Sequence, residues 1–238
     1  MQVIWSAQLW MLMVVRYKTI ALVAVKGNSD RIPKKNIRPF ANTSLLELKL
    51  NQLIKSNSVD KIVVSSESLD AINIASSFDD VLVHKRDPSY SSSDVPMSKV
   101  YSYLASAMDC KNIMWVPVTN PLIKSDIYKE AADKFSKLDD KYDCLLSCVK
   151  VNEYLLKGFK PLNFTRNPWQ RSQDLMGMHA LSFAVNILKR EDMIKWGSLV
   201  GRNPFFIELS REDSIDIDFP DDFEYCEYLY KKNPRKYQ

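Results

Sequence analysis

Glycine, histidine and cysteine are all scarce in this chain, and each scarcity removes a class of chemistry. Five glycines in 238 residues are too few for a fibrous or linker-rich protein. The two histidines, His84 and His179, lie far apart with no companion at metal-binding spacing, which excludes a multi-histidine zinc centre. Cys110, Cys144, Cys148 and Cys226 form no C-x-x-C pair, so neither a disulfide scaffold nor a thiolate zinc site is expected. Cys144 and Cys148 share one strand face at period two and read as reduced core residues of a cytoplasmic protein. Long apolar runs are missing as well. The opening fifteen residues are apolar but interrupted by Gln2, Ser6 and Gln8. They lack the basic flank and cleavage site of a signal peptide and are too short to span a bilayer. They read as an N-terminal extension, residues 1–18, and no membrane partner is expected. Charge of one sign is not concentrated either: 33 Lys+Arg against 29 Asp+Glu leave +4. That excess is too diffuse for a duplex-binding surface, so no nucleic acid is expected and any bound anion is small.

What is present is the patterning of a globular protein with length for a sizeable core. Runs rich in β-branched residues at 20–25, 61–65, 81–84, 112–116 and 143–149 alternate with amphipathic segments at 45–55, 69–76, 97–108 and 127–138. Strand followed by helix, repeated, predicts an α/β fold, a mostly parallel sheet with helices on both faces. We read residues 19–232 as one domain and 233–238 as a tail. The rhythm breaks over 150–178, an excursion rich in Pro, Arg, Gln and aromatics, then resumes with a strand at 181–188, a helix at 191–196, a strand at 205–209 and a helix at 221–231. Asp221 and Asp222 after Pro220 suit a helix start, and Tyr225, Tyr228 and Tyr230 read as packing on the sheet. The excursion carries Tyr154, Leu155, Leu156, Phe159, Phe164 and Trp169, too much apolar area for a solvated loop. Its cover is either its own sheet or the same segment of a second subunit.

Two segments can carry chemistry. The loop leaving the first strand reads Lys26-Gly27-Asn28-Ser29-Asp30-Arg31-Ile32-Pro33-Lys34-Lys35-Asn36. Its four cations, its glycine and the small polar Asn28 and Ser29 suit a polyphosphate, although it is neither a Walker A loop nor a dinucleotide fingerprint. Near the other end stands Asp213-Ser214-Ile215-Asp216-Ile217-Asp218-Phe219-Pro220-Asp221-Asp222. On an extended segment Asp216 and Asp218 share a face, and their repulsion is relieved most directly by a shared hard cation such as Mg²⁺. Taken singly, the first also fits a solvated basic loop and the second a solvent-facing acidic strand end. Taken together they are complementary parts of nucleotidyl transfer, a metal polarising a phosphoryl group while Lys and Arg hold the leaving pyrophosphate.

In order along residues 19–230, the motifs resemble the nonulosonate cytidylyltransferases, the acylneuraminate cytidylyltransferases that include CMP-sialic acid and CMP-Kdo synthetases. The family's opening A-R-G-G-S-K-R-I-P-x-K-N-I is matched at Gly27, Ser29, Arg31, Ile32, Pro33, Lys35, Asn36 and Ile37. Its D-I-D-T-P-E-D is answered by Asp216-Ile217-Asp218-Phe219-Pro220-Asp221-Asp222. Further matches are Val63-Val64-Ser65-Ser66-Glu67, Arg86-Asp87-Pro88 followed by Ser93-Asp94, Thr119-Asn120-Pro121-Leu122, and Arg171-Ser172-Gln173-Asp174-Leu175.

The resemblance implies a GT-A-like, Rossmann-related nucleotidyltransferase fold. It implies catalytic Lys35 and Arg31 on the triphosphate, with Lys26, Gly27, Asn28, Ser29, Asn36, Arg86 and Thr119 around the nucleotide and Asp216 and Asp218 on Mg²⁺. Residues 150–178 would be the dimerisation element of a homodimer, with Arg171 and Gln173 near the acceptor. The implied reaction couples CMP from CTP to a sialic-acid-like or Kdo-like 2-keto acid and releases pyrophosphate. Transfer to a phosphonate or another acidic acceptor, or a catalytically silent nucleotide-binding subunit, are the alternatives. The chain departs from the family at Lys26, where Arg is usual, and at Asp30, where Lys is common. Pro117 stands in place of a Gln that helps read the base, and Ala180-Leu181-Ser182-Phe183-Ala184 replaces N-G-A-x-Y.

Overall fold

The computed structural model describes residues 16–237, so the anticipated N-terminal extension lies, up to residue 15, outside the described residues. Strand β1 (Tyr17–Ala24) leads through the short pair β2 (Pro39–Phe40) and β3 (Thr43–Ser44) into helix α1 (Leu45–Ser56). Then follow β4 (Lys61–Ser66), α2 (Leu69–Ser76), β5 (Val81–Lys85), α3 (Met97–Ser106), β6 (Cys110–Trp115), α4 (Ser125–Ser136) and β7 (Cys144–Val151). A hairpin of β8 (Leu156–Lys157) and β9 (Lys160–Pro161) precedes β10 (Met178–Lys189), α5 (Arg190–Trp196), β11 (Pro204–Leu209) and α6 (Pro220–Lys232). The seven-stranded sheet runs β11-β7-β10-β6-β1-β4-β5.

Every pairing in that sheet is parallel except those of β10, which runs antiparallel to both β6 and β7. The mostly parallel sheet is as the alternation predicts, and β10 is the exception. No α-helix lies between β7 and β10 to carry the chain back to the starting side, so it returns in the opposite direction. From β1 the chain builds outward through β4 and β5, then crosses to β6 on the other side. Loops diverge at that reversal, which opens a crevice at the carboxyl ends of β1 and β6.

Alternation along β1 feeds two cores. Ala21 and Val23 join the layer that includes Leu46 and Leu50 of α1, Ala71 of α2, Tyr128 of α4 and Phe223 of α6. Ile20 and Leu22 face the other way, toward Val100 and Leu104 of α3 and Met193 of α5. Helix α1 begins where the Ser44 hydroxyl accepts the Glu47 N–H at 3.2 Å, satisfying one orphan donor of the first turn. In α6 the buried stripe is Phe223, Cys226 and Tyr230. Tyr225 and Tyr228 are exposed, against the expectation that all three tyrosines pack inward. At 100° per residue they fall on the flank opposite that stripe. The anticipated tail is packed too: Tyr237 is buried, its carbonyl accepts from Gln52 Nε2 at 2.7 Å and its hydroxyl binds Glu212. All four cysteines are buried and unpaired, and burial pushes the thiols of Cys110, Cys144 and Cys226 up to about 12, which removes them as nucleophiles. Among the described residues no helix is long and apolar enough to cross a membrane.

Leu46 is fully buried between α1 and the sheet. Leu46→Ala is expected to cost about 2–5 kcal/mol, read as a lower urea midpoint at unchanged slope.

Candidate functional site

A cleft of about 470 Å³ opens at the carboxyl ends of β1 and β6, lined by Lys26, Asn28, Ser29, Asp30, Arg31, Lys35, Asn36, Glu67, Ser91, Ser92, Ser93, Pro117, Val118 and Thr119. Seven residues expected on the triphosphate or around the nucleotide are therefore together: Lys26, Asn28, Ser29, Arg31, Lys35, Asn36 and Thr119. A cavity of about 480 Å³ at the amino ends of the strands, around Thr19, Asp60, Asn112 and Asp143, lacks such a converging cationic loop.

Local geometry explains how one loop divides its cations. Lys35 N–H bonds to Ile32 O at 3.1 Å, and Ile37 and Arg38 N–H both bond to Lys34 O. The turn passes through Lys34 at φ 52°, a left-handed conformation uncommon for a residue with a side chain. Lys34 pairs with Asp70 at 3.0 Å and does not line the cleft. Lys35 is buried, and its Nζ donates to Ile217 O at 2.5 Å. Burial lowers its ammonium from the ordinary range, opposed by Asp216 and Asp218 and assisted by Arg31. Half-exposed Arg31 pairs with Asp218 at 2.8 Å and lies over the Phe219 ring at 5.1 Å. Asn36 donates to Lys26 O at 3.0 Å, tying the loop's ends together.

The acidic segment is mounted on the loop after β6. Ile217 is buried, and its N–H donates to Thr119 O at 2.8 Å. Asp216 and Asp218 flank it on the accessible side. Asp222, in the first turn of α6, accepts the N–H groups of Asp218 at 3.0 Å and Phe219 at 2.7 Å, so the helix start holds the metal-type motif in shape. The Asp216 residue keeps solvent access, yet the protein around its carboxyl raises its pKa, and Asp218 and Asp222 add to the rise; the Thr119 hydroxyl and Lys35 oppose it. Two hard carboxylates with strained ionisation fit a divalent cation of the Mg²⁺ kind, which takes one or two protein carboxylates and completes its shell with phosphate and water. No cluster of three or more Asp, Glu, His or Cys suited to a metal occurs among the described residues.

Asp216 and Asp218 border the cleft through Arg31 and Lys35 without belonging to its lining, and four further expected residues stand elsewhere. Gly27 gives its N–H to Glu67 at 2.7 Å, and a Cβ there would meet Ser68 Cβ at 2.6 Å; it serves close loop packing and does not line the cleft. Arg86 is buried, with Nη2 on Ser65 O at 2.6 Å and Nε on Ser65 Oγ at 3.3 Å, beyond the cleft lining. Arg171 pairs with Asp174 at 2.7 Å and Gln173 is exposed; both lie on the excursion and neither lines the cleft of their own chain.

Glu67 is the residue the sequence reading missed. Burial would raise its carboxyl, but hydrogen bonds from Gly27 N–H and the Ser91 hydroxyl, with Arg86 nearby, hold it below the usual range. It thereby joins the β1 loop to the serine run after β5. Asp30, the charge-reversing departure, does the same by accepting from Ser93 Oγ at 3.0 Å. The available signal for Glu67 was its place at the end of the Val63-Val64-Ser65-Ser66-Glu67 match, just past a strand on the crevice side. His84 binds Ser65 Oγ at 3.0 Å and is pushed toward the neutral form by burial and by Arg86.

A family model described as cytidylyltransferase matches residues 20–182. Among curated proteins, a pseudaminic acid cytidylyltransferase of Campylobacter jejuni is 24% identical over 229 residues, covering 91% of this chain and 97% of that protein. N-acylneuraminate cytidylyltransferase A of Danio rerio is 25% identical over 216 residues, covering 87% of this chain and 49% of that protein. Among solved structures, a CMP:2-keto-3-deoxy-manno-octonic acid synthetase complexed with CTP superposes with a TM-score of 0.67 at 9% identity, covering 90% of this chain and 99% of that one. A cytidylyltransferase of Leptospira borgpetersenii gives 0.61 at 19% identity, covering 93% and 97%. Both share the nucleotidyltransferase, Rossmann-like fold.

Since Glu67 clamps two loops of the cleft, Glu67→Ala should weaken nucleoside triphosphate binding about tenfold, checked by calorimetric titration, while the urea midpoint moves little.

Proposed function

This chain belongs to the cytidylyltransferase family, and on that premise we propose that it transfers the cytidylyl group of CTP to an acidic 2-keto sugar of the pseudaminic, sialic or Kdo type. The observation that carries the reading is the union of the cationic loop with the carboxylate pair, through Lys35 on Ile217 O and Arg31 on Asp218. Lys26, Arg31 and Lys35 bind the triphosphate, and Asn28 and Ser29 supply neutral donors. Asn36 fixes the loop's closure, and Thr119 holds Asp216. An incoming phosphate favours the charged form of Lys35, offsetting its burial. The sugar hydroxyl attacks the α-phosphorus in line; an O–P bond forms, the bond to the β-phosphate oxygen breaks, and pyrophosphate leaves with that electron pair while the hydroxyl proton passes to water. A Mg²⁺ held by Asp216 and Asp218 would supply neutralisation of phosphoryl charge and a lowered hydroxyl pKa. No histidine lines the cleft, so the chain offers no imidazole base there.

The acidic acceptor is supported by the activities named for the pseudaminic and N-acylneuraminate relatives. A homodimer goes with it: Phe159 is 91% and Trp169 64% exposed on the excursion, an apolar surface that a second subunit would cover, and the family resemblance implies that Arg171 and Gln173 of that segment lie near the acceptor. Four buried, unpaired thiols suit a reducing cytoplasm.

Incubation with CTP, Mg²⁺ and a panel of acidic 2-keto sugars is expected to release pyrophosphate with at least one of them; no release with any would overturn the reading. Asp218→Asn should lower turnover by about two orders of magnitude or more while CTP affinity changes little, whereas Lys35→Ala weakens both. In thermal-shift titrations with Mg²⁺, CTP should raise the melting temperature more than UTP, ATP or GTP. Sedimentation should give twice 27.5 kDa at micromolar concentration; a fully active monomer would remove the shared acceptor site.

A further inference from the structure

Lys49 sits on the inward side of α1 with no solvent exposure, and none of the chemistry above uses it. A lysine so placed forfeits its hydration, so it persists only where its donors are taken. Its Nζ donates to Asn120 O at 2.7 Å and meets Tyr128 Oη of α4 at 2.5 Å. Asn120 is itself buried, and its Nδ2 donates to Ile215 O at 3.0 Å. Its neighbour Thr119 accepts the Ile217 N–H at 2.8 Å and reaches Asp216 through its hydroxyl. One turn along α1, Gln52 Nε2 donates to Pro121 O at 2.8 Å. Helix α1 therefore holds the loop after β6 from beneath, and that loop holds the acidic segment from beside.

We propose that Lys49 is a positioning residue for the transfer site, fixing the Asn120 carbonyl so that Thr119 and residues 215–217 stay in register. The inference rests on the proposed cytidylyl transfer for its catalytic consequence, and on the hydrogen-bond chain alone for its structural one. Both protonation states of the amine have at least two N–H groups to donate, so the anchoring does not depend on charge. A methionine of similar length would fill the space at lower desolvation cost, but it would leave Asn120 O without its donor.

The test is Lys49→Met, with amide hydrogen exchange measured without nucleotide or metal. The Ile217 amide should exchange about tenfold faster, the factor carried by one ordinary hydrogen bond, while the β1 amides stay within about twofold of wild type because the opening is local. Turnover should fall about tenfold with KM for CTP within about threefold, since alignment is lost rather than triphosphate binding. Wild-type exchange at Ile217, a rise shared equally by β1, or local loosening with undiminished turnover would each overturn the proposal. If Lys49→Met does not fold, Tyr128→Phe removes one partner and keeps the lysine; the same local pattern at smaller amplitude is expected, and unchanged exchange at Ile217 overturns it. A wild-type enzyme inactive toward every acidic sugar defeats the reading of function instead, and the exchange measurement, which uses no substrate, separates that failure from this one.

Discussion

Two carboxylates two residues apart repel each other, and Asp216 and Asp218 are held side by side because cations from the other end of the chain meet them. Lys35 reaches the carbonyl of Ile217 across 182 residues of sequence, and Arg31 pairs directly with Asp218. Everything else in the cleft follows from keeping those two segments in register. Strand β1, flanked on both sides in the sheet, delivers the cationic loop. The start of α6 shapes the acidic segment through Asp222. In this arrangement the cations and carboxylates are partly satisfied by one another.

Local chemistry was legible in the sequence where it depended on neighbours in the chain. The βα alternation, the cationic run 26–36 and the Asp-x-Asp pair each follow from periodicity or spacing within a dozen residues, and the structure brings the two charged segments together. What stayed hidden depends on contacts between distant residues. The direction of β10 is set by the absence of a crossover helix after β7, and Tyr225 and Tyr228 miss the core by their angular offset from Phe223, Cys226 and Tyr230. Glu67 and Lys49 look like ordinary strand-end and helix charges until Gly27 and Ser91, or Asn120 and Tyr128, are seen to meet them. Arg86 illustrates the reverse: a motif arginine expected at the nucleotide has two of its nitrogens on Ser65.

The departures from the family pattern also acquire physical content. Asp30 accepts from Ser93 and bridges two loops of the cleft, so a reversed charge that would oppose a phosphate is occupied by a hydroxyl. Pro117 lines the cleft without an N–H or side-chain donor. The excursion buries little of its own apolar surface: Tyr154, Phe164 and Trp169 cluster with one another while Phe159 and Leu156 stay exposed.

We propose that the cationic loop and the carboxylate pair are two halves of one metal–triphosphate site. Crystals grown with CTP and Mn²⁺, the anomalous scatterer standing in for Mg²⁺, should show an anomalous peak against Asp216 and Asp218, with the phosphates on Lys26, Arg31 and Lys35. A nucleotide bound with its phosphates away from residues 26–36, or a Mn²⁺ peak remote from both carboxylates, would contradict it.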